Sequence, residues 1–146
     1  MKTIKRSIDI NAPKKKVWSV MLDKHYTKIW YSQFSEGSYA DTDWKPGSKA
    51  LFKDDSESGL VGKVIVNDPN EKVSVEYMGL VIAGREDYES DGAKSVKGGR
   101  ETYILSEKNG ETHLEIECDM SPEYFDAMSS SWERAMIKIK ELSEVK

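Results

Sequence analysis

At 146 residues the chain has the length of one domain, enough to bury roughly 68–70% of the surface its unfolded form exposes. Apolar residues make up 38% and charged ones 33%, with four Trp and seven Tyr, a composition too aromatic for a disordered chain. A net charge of −4 with acids and bases interspersed excludes a basic nucleic-acid footprint, and no apolar run approaches the roughly 20 residues of a membrane span.

The first predicted element is a strand over residues 3–10, where Ile4, Ile8 and Ile10 alternate with Lys5, Ser7 and Asp9. Arg6 falls on its apolar face. Asn11-Ala12-Pro13 then ends the strand and starts a helix, because the ring of Pro13 fixes φ in the range a first turn needs. Val17, Trp18, Val20, Met21 and Leu22 follow at helical spacing. Tyr26, Ile29, Trp30 and Phe34 predict a second short helix between His25 and Phe34.

From Gly37 the pattern becomes short strands cut by turns. Ser38–Asp41 is a weak signal, and Trp44-Lys45-Pro46-Gly47 reads as a tight turn. Ala50 and Phe52 share one strand face. Leu60, Gly62, Val64 and Val66 share the next, which Asn67-Asp68-Pro69-Asn70 terminates. Val73, Val75 and Tyr77 alternate with Ser74 and Glu76. The polar stretch from Gly84 to Gly99 is the longest predicted loop, of the length that serves as lid or binding loop. Glu101, Tyr103 and Leu105 share an inward face. Asn109-Gly110 signals a hairpin, and Leu114, Ile116 and Cys118 point inward on the last strand with His113 outward.

The closing stretch, Ser121 to Lys146, carries Phe125, Met128, Trp132, Ala135, Met136, Ile139 and Leu142 at steps of three and four, a long amphipathic helix with a charged opposite face. Ser121 is a candidate cap and Pro122 suits the first helical position. The order is thus a strand, two short helices, five or six antiparallel strands, and a long helix. That is an α+β domain in which a curved antiparallel sheet wraps the C-terminal helix. A bent sheet and a straight rod leave a gap, filled either by large side chains or by a ligand.

This layout resembles the SRPBCC superfamily, the START-like and birch-pollen-allergen proteins of helix-grip fold. Within it, the chain is similar to the branch named after the activator of the heat-shock-protein-90 ATPase. Ile8, Ile10, Ala12-Pro13, Val17 and Trp18 carry the resemblance at the start, followed by Trp30 and Pro46-Gly47. Gly62-Lys63-Val64, Pro69, the segment Gly79 to Tyr103, Trp132 and Leu142 carry it further on. The resemblance spans residues 1–146 as one domain. It implies a cavity between the sheet and the last helix, entered near the short helices. Mapped residue by residue, its walls would come from Trp30, Phe34, Phe52, Val64 and Tyr77, with Tyr103, Met128, Trp132 and Met136. The same side chains could instead simply fill a core.

Two charges, Arg6 and Glu101, fall on inward faces by alternation. Such groups are costly to bury unpaired, so they would bond each other, meet a polar ligand group, or reach water along the sheet edge. Under the ligand reading Arg6 would orient an anionic head group. Catalysis has weak support. The chain has two histidines and one cysteine, too few for an obvious metal site, and no glycine-flanked nucleophilic serine. No cofactor is expected.

The reading is therefore a protein binding a small hydrophobic or amphipathic molecule, with no nucleic-acid partner and no membrane insertion. A chaperone-associated interaction module, and less so a cyclase or hydrolase using the same cavity, are the rivals. A lone Cys118 excludes an intramolecular disulfide and, with no signal-peptide pattern at the N-terminus, gives a cytoplasmic expectation.

Overall fold

The structure is a computed structural model and describes residues 1–145. The opening strand β1 (Lys2–Ile10) leads into α1 (Lys14–Leu22) and α2 (Lys24–Trp30), which runs on as a 3-10 turn, Tyr31–Gln33. The strands β2 (Tyr39–Asp41), β3 (Lys49–Lys53), β4 (Gly59–Asp68), β5 (Lys72–Ile82) and β6 (Arg85–Asp87) follow. A short helix α3 (Asp91–Val96), β7 (Arg100–Lys108), β8 (Glu111–Met120) and the long α4 (Phe125–Glu144) complete the chain. The sheet is antiparallel in the order β1-β8-β7-β5-β4-β3-β2, with β6 paired to β5, and it curls around α4 in a helix-grip arrangement.

The curl has local causes. β4 and β5 slip register twice, between Val61 and Gly62 and between Val64 and Val66, and such bulges bend a strand and raise its twist. At the first slip the backbones approach so closely that a Cβ on Gly62 would lie 2.8 Å from the Glu76 carbonyl oxygen. Only glycine permits that contact. Asn109 and Gly110, at φ 56° and 79°, form the expected tight hairpin between β7 and β8.

The core lies between the inner sheet face, α1, α2 and α4. Trp30 and Trp132 are each 1% exposed, and their rings stand 6.1 Å apart. The indole of Trp30 donates to the Val20 carbonyl at 2.9 Å, tying α2 to α1. On α4 the buried stripe is Trp132, Ala135, Met136 and Ile139, interleaved with Ser129, Ser131 and Ser143, whose small side chains let neighbouring elements approach.

The weak Ser38–Asp41 signal is realised as β2, while three details depart from expectation. The stretch from Gly84 to Gly99 is a hairpin and a helix: Ala83-Gly84 turns β5 into β6, and the Ser90 hydroxyl caps α3 by accepting from the Ala93 amide at 3.1 Å. The last helix begins as a 3-10 turn at Pro122–Tyr124, with no side-chain cap from Ser121. Its expected end at Lys146 lies outside the described residues. On α2 the buried residues are Thr27 and Trp30, followed by Tyr31 in the turn, while Ile29 is exposed. The 3-10 turn advances each residue further around the axis than an α-helix, which brings Tyr31 inward.

Candidate functional site

Between the inner sheet face and α4 lies a cavity of about 260 Å³, open on one side. This is just below the usual range of ligand sites, roughly 300–1,000 Å³. Its apolar wall is Phe34, Phe52, Leu60, Met128 and Trp132. The ring of Trp132 is the hub, edge-on to Phe34 at 4.9 Å and tilted against Tyr103 at 5.7 Å. The mouth is polar. There Ser35 donates to Asp54 at 3.1 Å, and Lys53 is held by Glu57 at 3.0 Å.

The deep end is built by sheet register. Glu101 on β7 pairs with Val75 on β5 and with Cys118 on β8, so its side chain enters the cavity between them. Two residues along on the same faces come Tyr77 and Tyr103. The Tyr77 hydroxyl donates to one carboxylate oxygen of Glu101 at 2.9 Å, and the Tyr103 hydroxyl donates to the other at 2.6 Å. The Cys118 thiol lies 3.8 Å from Glu101 Oε1 and 3.7 Å from the Tyr77 oxygen. The Trp132 indole N–H is buried without a hydrogen-bond partner.

Burial raises the proton affinity of Glu101, opposed by the bonds from Tyr103, Tyr77 and Cys118, which favour its charged form. Tyr31, Tyr77 and Tyr103 are pushed well above the usual phenol range, first by burial; the negative charge of Glu101 adds to all three. Cys118 is pushed up by burial and then by the same charge, so its thiol is inert rather than nucleophilic.

Of the residues predicted for the cavity, Trp30, Phe34, Phe52, Tyr77, Glu101, Tyr103, Met128 and Trp132 line it. Three others lie elsewhere. Arg6 sits near the sheet edge on β1, and its Nε pairs with Glu133 on the charged flank of α4 at 3.4 Å, so it neither meets Glu101 nor enters the hollow. Val64 packs in a separate cluster with Ala50 and Val75. Met136, one turn beyond Trp132, is in the closed core. Sequence reasoning omitted Tyr31, Leu60 and the polar mouth, where Ser35, Ser38, Tyr39, Lys53, Asp54 and Ser58 stand. A larger hollow of about 490 Å³ at the β7–β8 turn holds Asp9, Glu107, Lys108 and His113, and offers no apolar wall.

Residues 11–144 match the family described as Activator of Hsp90 ATPase homolog 1-like protein. The chain belongs to that family. Solved structures agree on the fold of the chain. Protein MLL2253 from Mesorhizobium loti superposes with a TM-score of 0.75 at 17% identity, covering 97% of this chain and 96% of that one. The Aha1 dimer from Colwellia psychrerythraea gives 0.72 at 16% identity, over 99% and 98% of the two chains. CalU16 from Micromonospora echinospora gives 0.69 at 18% identity, over 97% and 74%. No curated protein matches the sequence. Among the described residues of this family member, no helix is long and apolar enough to cross a membrane.

Proposed function

We propose that the cavity between the sheet and α4 binds a small apolar or amphipathic molecule. The observation that carries this reading is the hollow itself, left unfilled beside Phe34, Phe52, Met128 and Trp132 in a core that is otherwise closed. Affinity would come from covering the ligand's apolar surface, at about 25 cal/mol per Å², with Glu101, Tyr77 and Tyr103 fixing its polar end. A cytoplasmic setting fits the single buried thiol. Native mass spectrometry of protein purified from its own host tests the reading. Wild type is expected to carry a small molecule that the cavity-filling variant Met128→Trp has lost. Two unliganded spectra, or equal cargo in both, would contradict it.

Membership of a family named for a chaperone-ATPase activator supports a rival, docking on a chaperone or other protein through the outer surface. The exposed large apolar side chains, among them Ile29, Ile82, Tyr124 and Ile137, are spread over several elements, which favours the cavity reading. The raised proton affinity of Glu101 supports the other rival, acid–base catalysis in the same hollow. We rank it lower because both carboxylate oxygens are already held by phenols.

A further inference from the structure

We infer that the molecule this cavity takes carries a basic nitrogen, a protonated amine on an apolar body, seated against Glu101. The inference rests on the cavity-binding reading and sharpens it.

A phenol has one proton to give, and Tyr77 and Tyr103 each give theirs to Glu101. What remains for a ligand at the deep end is the lone pairs of two phenol oxygens and the unused lone pairs of a carboxylate. Two donors stand nearby, the Tyr31 hydroxyl and the indole N–H of Trp132, and neither is a cation. The charge is equally one-sided. Glu101 forms no ion pair among the described residues, and its surroundings act on it through burial, the two phenols and the thiol. Every titratable group packed on it is acidic: Tyr31 from the turn after α2, Tyr77 on β5, Tyr103 on β7 and Cys118 on β8. The cation in the lining, Lys53 at the mouth, is occupied by Glu57 and lies over the Tyr39 ring. Arg6, the cation expected to receive an anionic head, pairs with Glu133 instead.

A half-buried carboxylate in a cavity without a counter-ion is an unfavourable arrangement that a bound cation relieves. An ammonium group supplies both the missing charge and the missing donors, while Phe34, Phe52, Met128 and Trp132 cover the apolar body. A carboxylic acid ligand would set two negative groups together in a low-dielectric site and be rejected.

Three probes of one shape decide the matter: phenylbutylamine, phenylbutanol and phenylbutanoate, titrated calorimetrically into wild type near neutral pH. The amine is expected to bind about tenfold or more tighter than the alcohol, the worth of a charge-assisted bond, and the acid weakest. In Glu101→Gln, checked as folded by circular dichroism, the amine and the alcohol should bind alike. In Tyr77→Phe, which keeps the carboxylate, the amine preference should persist. Acidification should weaken amine binding to wild type and leave the Glu101→Gln variant unchanged. Equal binding of the probes to wild type, or a preference for the alcohol or the acid, would overturn the amine inference alone and leave the cavity as a binding site. Failure of all three probes to bind would overturn both readings.

Discussion

Glu101 has no ion-pair partner among the described residues, and its raised proton affinity translates directly into a pH dependence of stability. Its pKa is raised in the folded state, so between the ordinary glutamate value of about 4.3 and the raised one the folded protein holds a proton the unfolded chain has released. Stability from this group is therefore full below that ordinary value and is lost as pH rises through the folded pKa. Glu101→Gln removes the effect. Its stability advantage over wild type, followed by chemical denaturation, should grow as pH rises across that window. A difference that is constant with pH, or that shrinks, would contradict the assignment. His113 shows the opposite chemistry at the surface. Its Nδ1 lies 2.7 Å from Asp9 on the neighbouring strand, and that hydrogen bond, more than the added charge of Asp9 and Glu115, raises its pKa. The small stabilisation from this pair is present below the ordinary value of about 6.5 and fades as pH rises through the folded pKa. An NMR titration should place His113 above its ordinary range in wild type and lower in Asp9→Asn; identical curves would remove the pairing.

At the scale of elements, the turn joining β5 to β6 carries a correctable strain. Ala83 and Gly84 both have positive φ, 49° and 82°, the conformation of a type I′ hairpin turn that favours Asn-Gly. A left-handed alanine costs roughly 1–2 kcal/mol, and asparagine tolerates the region better. Ala83→Asn should stabilise the protein by about 0.5–1 kcal/mol in denaturant melts, and destabilisation would contradict the turn geometry. On α4, Trp132 joins the core to the cavity wall, with Trp30, Phe34 and Tyr103 packed around it. Trp132→Ala should cost about 3–5 kcal/mol, measured the same way; a loss under 1 kcal/mol would mean the ring is not the keystone described.

Whether an element was legible in the sequence depended on how it is made. The stripe from Trp132 to Ile139 and the inward sets Glu101-Tyr103-Leu105 and Leu114-Ile116-Cys118 follow from regular periodicity, and there the expectation and the structure agree. The β6–α3 segment did not announce itself because a three-residue strand and a six-residue helix are too short for any period to register. Tyr31 was hidden by a change of helical pitch, and Arg6 by its place near a sheet edge where a long side chain can reach out to Glu133.

At the scale of the whole molecule, the bent sheet, the two short helices and α4 meet in a container that is packed at one end and hollow at the other. Alternation gave the inward faces of the separate strands. Only the pairing register, which sets Glu101 beside Cys118 and Val75, makes them a site. If that hollow binds a small molecule, its effect must be felt inside the protein and not on its surface. The methionines allow this to be read directly: Met128 lines the cavity, whereas Met1 and Met78 are exposed. Methyl-labelled methionine spectra recorded during titration with phenylbutylamine give the most direct test of the account. Saturable shifts at Met128, with Met1 and Met78 unmoved, are the predicted result. A silent Met128, or shifts confined to Met1 and Met78, would contradict it.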